Sequence, residues 1–178
     1  MWHRWQLPLS LSPVSTISSF PDVELNEVAL NKVQRSALVM HSDQSMFDLV
    51  NDVANYPLFM DGCQGAEVFE QSDRTMVARL DLKKAGVKTS FMTRNALSAP
   101  TSIEMNLEDG PFKRLRGVWT FKALSAEACK VSLDLEFEFN SMAVGMAASK
   151  LFSSMANDLV DSLCRRADQV YGNANDGQ

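Results

Sequence analysis

The chain has 178 residues, 46% of them apolar and 22% charged, with a formal net charge of −5. That length supports one domain with its own core, and no window holds the roughly 18 apolar residues that a membrane-spanning helix requires. The acidic total argues against a general nucleic-acid binder, although a local basic patch stays open. Three scattered cysteines without a CxxC pair, and only two histidines, exclude a disulfide framework and a structural zinc site and fit a reducing cytosol.

Residues 1–31 read as a flexible extension or a start-site artefact. The first 21 are rich in Ser and Pro, and Pro8 and Pro13 interrupt the apolar run that a signal peptide needs. Arg4 is the only strong base there, too little for a transit peptide. The domain is expected over 32–171, with 172–178 as a disordered tail.

Val33–Met40 reads as a first strand. Ser42 is a helix N-cap with Asp43 in the first turn, followed by Met46, Phe47, Val50, Val53 and Ala54 on one face. Tyr56-Pro57 is expected to end that helix, because proline disfavours a helical residue before it. Strands then follow in succession. Ala66 and Val68 mark the second, and Met76, Ala78, Leu80 and Leu82 alternate with polar positions in the third. After Lys84-Ala85-Gly86 comes a fourth over Val87–Leu97, then a turn at Ser98–Thr101. Ile103, Met105 and Leu107 form the fifth, Asp109-Gly110-Pro111 turns again, and Leu115, Gly117, Trp119 and Phe121 share a face of the sixth.

Val131, Leu133, Leu135, Phe137 and Phe139 alternate with Ser132, Asp134, Glu136 and Glu138, the period of a half-buried antiparallel strand. After Asn140-Ser141 the period changes. Val144, Ala148, Leu151, Phe152, Met155, Leu159, Leu163 and Val170 recur every three or four residues, one stripe of a long helix. The fold class is therefore α+β: a curved antiparallel sheet of six or seven strands wrapped around a long C-terminal helix.

Three segments carry a family resemblance. Tyr56-Pro57-Leu58-Phe59-Met60-Asp61-Gly62-Cys63 resembles a "YPxFLPGC" element of the START-like helix-grip superfamily. Lys84-Ala85-Gly86 with Thr93-Arg94-Asn95, and Asp109-Gly110-Pro111-Phe112-Lys113 with Gly117-Val118-Trp119-Thr120-Phe121, resemble its two hairpin motifs. The branch is the one holding coenzyme Q-binding proteins and the bacterial ribosome association toxin A, and the similarity runs from about Lys32 to Tyr171. Asp61 stands where the family usually has proline, so a looser turn is expected there.

The resemblance implies two non-enzymatic roles. One is to hold a polyprenyl quinone such as ubiquinone, or a related lipid, between sheet and helix in support of respiration, with no required cofactor. The other is a toxin that binds the large ribosomal subunit and blocks subunit association, with an antitoxin protein as a further partner. Either places the chain in the cytoplasm, the first with a peripheral contact to the inner membrane. A cyclase activity would rest on fold analogy alone.

The residues themselves favour binding over catalysis. Leu80, Phe91, Met105, Trp119, Phe121, Leu133 and Phe137 are the assignable inward positions, all apolar, and Val144, Phe152 and Met155 of the last helix face them. The expected ligand lining is thus Leu80, Phe91, Met105, Trp119, Phe121, Leu133, Val144, Phe152 and Met155. The methionine-rich stretch Met142–Met155 reads either as a deformable lid or as core packing. His3 and His41 read as surface residues, and Cys63 and Cys129 lack a histidine neighbour in sequence. Thr89, Thr93 and Asn95 share the face of Phe91, either as hydrogen-bonded lining or to recognise a ligand carbonyl.

Alternate turns of a meander lie at one end of the sheet. Lys83, Lys84 and Lys88 flank one such turn, and Lys113, Arg114 and Arg116 follow another. These six bases form either a solvated pole or a docking surface for ribosomal RNA or anionic headgroups.

Overall fold

A computed structural model describes residues 30–172, without the side chains of residues 142–145. The expectations for the extension and the tail fall mainly on residues outside that range. Seven strands form one sheet in the order β1-β7-β6-β5-β4-β3-β2, every neighbouring pair antiparallel. They are β1 (Asn31–Val39), β2 (Cys63–Gln71), β3 (Thr75–Lys84), β4 (Val87–Ser98), β5 (Ser102–Asp109), β6 (Phe112–Ser125) and β7 (Ala128–Phe139). The α-helices are α1 (Asp43–Asn51) and α2 (Met142–Tyr171). The chain crosses from one sheet edge to the other through α1 and a short 3-10 helix, Val53–Leu58.

The anticipated two-residue period is clear in β4 and most of β7, whereas Met76, Val77 and Ala78 of β3 are buried in succession and bulges interrupt β2. Val131, Leu133, Leu135, Phe137 and Phe139 of β7 are buried and turn to the concave face, beside Leu115, Trp119 and Phe121 of β6. Gly117 lies between Met105 and Leu135 in register, and a Cβ there would strike the Met105 methyl. The β3–β4 hairpin turns at Ala85 (φ 51°) and Gly86 (φ 81°), the pair of positive φ values that suits a two-residue turn.

Ser42 caps α1 as read, its Oγ accepting from the Ser45 N–H at 3.1 Å. The helix ends at Asn51, however, earlier than the expected stop at Tyr56-Pro57. The next turn tightens into the 3-10 helix that contains Pro57, and the buried Tyr56 hydroxyl donates to the Val50 carbonyl at 2.8 Å. That bond occupies a carbonyl otherwise left over at the helix end.

The α2 helix packs on β1, β7 and α1. Its buried stripe is Ala148, Phe152, Met155, Ala156, Val160, Leu163 and Ala167. Val170, assigned to that stripe, is instead exposed, and the last turn is held by Tyr171, whose hydroxyl donates to the Ser45 carbonyl at 3.1 Å. His41 is buried, not a surface residue: its Nε2 lies 2.8 Å from Asp168 Oδ1 and ties the β1–α1 junction to the end of α2. His3 lies outside the described residues. No helix among the described residues is long and apolar enough to cross a membrane.

Candidate functional site

Between the concave face and α2 lies a cavity of about 80 Å³. On a scale where one water needs roughly 10–15 Å³, it has room for a ring-sized group. Its walls come from four parts of the chain. Strands β3 to β7 supply Ala78, Leu80, Leu82, Phe91, Thr93, Asn95, Ile103, Met105, Leu115, Trp119, Leu133 and Leu135. Helix α1 adds Val50 and Asn51, the 3-10 turn and following residues add Val53, Tyr56 and Met60, and α2 adds Phe152, Met155, Ala156 and Leu159.

Of the nine residues expected as ligand lining, the structure brings seven to this cavity: Leu80, Phe91, Met105, Trp119, Leu133, Phe152 and Met155. Phe121 shares their face but is not part of the wall. It packs under α1, its ring edge-on to Phe47 at 5.7 Å and stacked with Trp119 at 6.5 Å. The Val144 side chain lies outside those described, as do Met142, Ala143 and Gly145 of the lid reading; Met146 is exposed.

One end of the cavity is closed by aromatic rings. Phe152 of α2 meets Phe137 at 4.7 Å, Phe112 at 5.1 Å and Phe91 at 5.6 Å between centroids, mostly edge to face. Such contacts add to the burial of the rings themselves.

The polar wall is small and unusual. Thr93 and Asn95 of β4 are buried, and Asn51 faces the cavity from the end of α1. The Oδ1 atoms of Asn51 and Asn95 are buried without a hydrogen-bond partner. Thr89 lines a second, smaller cavity that shares Leu82, Phe152 and Met155 with the first, and its Oγ1 is also unpaired. Hydrogen-bonded lining therefore does not describe Thr89 or Asn95. Sequence reasoning missed Asn51, although it stands four residues after Phe47 on the buried helical face, and that spacing was the available signal.

Among the described residues, no lysine, arginine, histidine or acidic side chain lines the main cavity. Burial pushes the Tyr56 hydroxyl far above the ordinary tyrosine range, so that group stays neutral. Burial also raises the thiols of Cys63 and Cys129, the latter to about 11, which keeps both protonated and poorly nucleophilic. Among the described residues, no cluster of His, Cys, Asp or Glu is arranged to hold a metal.

Lys83 pairs in register with Lys88 beside the β3–β4 turn, and Lys113 and Arg114 follow the β5–β6 turn at the same end, whereas Arg116, opposite Asn106 and Glu136, lies farther along β6. The six bases are not equally available. Lys84 Nζ lies 2.8 Å from Asp61 and 3.4 Å from Asp158, Lys113 2.9 Å from Glu138, and Arg116 3.7 Å from Glu104. Lys83, Lys88 and Arg114 are exposed, with no salt bridge among the described residues. The departure at Asp61 does not loosen its turn. Besides the Lys84 pair, the Cys63 N–H donates to Met60 O at 3.0 Å and the Lys83 N–H to Gly62 O at 2.7 Å.

Residues 39–164 match the family described as polyketide cyclase/dehydrase and lipid transport. The chain belongs to that family. It is 51% identical over 143 residues to the ribosome association toxin of Vibrio cholerae, covering 80% of this chain and 99% of that one. A mitochondrial coenzyme Q-binding protein homologue of Xenopus laevis is more distant, 26% identical over 141 residues, covering 77% of this chain and 58% of that one. Among solved structures, an aromatase/cyclase from Streptomyces sp. R1128 aligns with a TM-score of 0.73 at 16% identity, over 84% of this chain and 100% of that one. A START superfamily protein from Mycobacterium smegmatis aligns with a TM-score of 0.67 at 21% identity, over 78% and 98%. Those two likenesses establish the family member's fold.

Proposed function

We propose that this protein associates with the large ribosomal subunit and keeps the subunits from joining, without an enzymatic step. The observation that carries the reading is the 51% identity to a ribosome association toxin along 99% of that relative's length. Such a partner places the protein in the cytoplasm. The contact is assigned to the basic end, where Lys83, Lys88 and Arg114 are exposed and unbridged. Each lysine or arginine that meets a phosphate releases counterions, so binding should weaken steeply with salt. The test is co-sedimentation with purified large subunits at low and high salt. The reading expects a complex at low salt that dissolves at high salt and is lost in the triple reversal Lys83→Glu, Lys88→Glu, Arg114→Glu. Equal sedimentation of the triple variant would reassign the surface, and absence of wild-type binding at low salt would end the reading.

The cavity supports a second reading, in which the protein holds a neutral lipid such as a polyprenyl quinone and supports respiration. An apolar hollow with a few polar groups is the general form of a small-molecule site, and the coenzyme Q-binding relative points the same way. At about 80 Å³ the cavity suits a head group more than a whole polyprenyl tail. Mass spectrometry of the native protein from its own host, with organic extraction, tests this. Recovered quinone at high occupancy supports it, and an empty protein counts against it.

A further inference from the structure

Asn95 is 5% exposed and sits on the concave face of β4 between Met76 of β3 and Met105 of β5 in register. An amide among methionines is costly unless it is paired, and its Oδ1 has no partner. Asn51, at the end of α1, also borders this cavity, and its Oδ1 is likewise buried and unpaired. Two unpaired amide oxygens on residues that border one hollow call for an explanation beyond packing. Thr93, two residues before Asn95, adds a hydroxyl to the same wall.

The remainder of the wall restricts what could satisfy them. Among the described residues it contains no ionisable side chain besides Tyr56, whose hydroxyl is already committed to the Val50 carbonyl. A carboxylate or ammonium brought into this cavity would lose its hydration with no counter-charge to replace it. A neutral group is therefore required. An amide presents an acceptor oxygen on one side and a donor nitrogen on the other. A hydroxyl has one proton to donate, which completes one unpaired amide oxygen, and lone pairs that accept from an amide nitrogen, whereas an ether or carbonyl only accepts and leaves both amide oxygens unpaired.

We infer that the cavity is a binding site for a neutral, largely apolar molecule bearing a hydroxyl group, an alcohol or phenol, whose hydroxyl donates to Oδ1 of Asn95. This rests on the small-molecule reading of the cavity and specifies the ligand's head group. Phe91 and Phe152 at the aromatic end take its apolar body, and the smaller cavity beside Thr89 extends the space along β4.

The experiment uses four probes of one shape: para-propylphenol, its methyl ether, propylbenzene and para-propylbenzoate. Each is titrated into the full chain by calorimetry, and into Asn95→Leu, whose fold is checked by circular dichroism. The expected result is binding of the phenol about five- to tenfold more tightly than the ether or hydrocarbon, the size of one net hydrogen bond. The benzoate binds more weakly than the phenol, and the preference for the phenol disappears in Asn95→Leu while propylbenzene still binds. Equal affinity for phenol, ether and hydrocarbon in the wild type would overturn the hydroxyl site and leave an apolar cavity standing. Tight benzoate binding would overturn the requirement for a neutral group. Failure of every probe to bind the folded wild type would overturn both the site and the cavity reading beneath it. The wild-type comparison decides the matter even if Asn95→Leu does not fold.

Discussion

Lys84 Nζ lies 2.8 Å from Asp61 Oδ2 and 3.4 Å from Asp158 Oδ2, so one ammonium joins the loop before β2, the β3–β4 turn and α2. The residue that departs from the family motif is thereby half of a tertiary contact. The Lys84 hydrogen bond, and then its charge, hold the Asp61 carboxyl below the ordinary carboxylate range. Because the folded value is depressed, the pair's contribution is present above the unfolded-state range and is lost as pH falls through the folded value. The Lys84 ammonium is shifted upward, first by its bond to Asp61, so the same pair also weakens as pH rises through the folded lysine value. In Lys84→Met, NMR titration should move the Asp61 midpoint up toward an ordinary carboxylate. An unmoved midpoint would sink the assignment.

Gly62 has φ +83°, and a Cβ there would stand 2.7 Å from Met155 Cε. The methionine methyl borders the cavity and is able to retreat into it, so backbone strain is the larger cost. Gly62→Ala should destabilise the protein by about 1–3 kcal/mol. Urea unfolding measures this, and a loss below about 0.5 kcal/mol would show that the turn relaxes freely.

Phe152 is the centre of the aromatic end, in contact with Phe91, Phe112, Phe137 and Phe139. Phe152→Ala removes a buried ring and enlarges the cavity, at a cost of about 3–5 kcal/mol. Denaturant melts should show the shift with little change in slope. A cost near 1 kcal/mol would mean that the neighbouring rings close over the gap.

Asn95→Leu should raise stability by about 1–3 kcal/mol, since it replaces an unpaired buried amide with an apolar group of similar volume. A gain in melting temperature together with loss of phenol preference would mark Asn95 as a residue kept for a ligand. A large loss of stability would instead show that the amide is paired in solution.

The alternation in β7, the three- and four-residue stripe of α2 and the Ser42 cap were legible because each is written in the order of neighbouring residues. Seven of the nine expected lining residues reach the cavity because the period of a strand, and of helix α2 for Phe152 and Met155, assigns faces without any knowledge of the partner. Phe121 has the right face and the wrong neighbour. Its position along β6 puts it under Phe47 of α1, a relation between segments far apart in the chain. His41 followed the same logic. Nothing beside it in sequence announces Asp168, which comes within 2.8 Å only when α2 packs back on the β1–α1 junction.

Sequence by itself determined the element order, most of the buried faces and the placing of bases beside two turns, because periodicity and strand alternation are local consequences of backbone geometry. Tertiary structure alone decided which polar groups go unpaired. Hydrogen-bond satisfaction depends on what lies across the cavity, so Asn51 and Asn95 became a site only when α1 and β4 enclosed the same space. It likewise decided which bases stand free, because Asp61, Asp158, Glu138 and Glu104 reach Lys84, Lys113 and Arg116 only once the chain has folded.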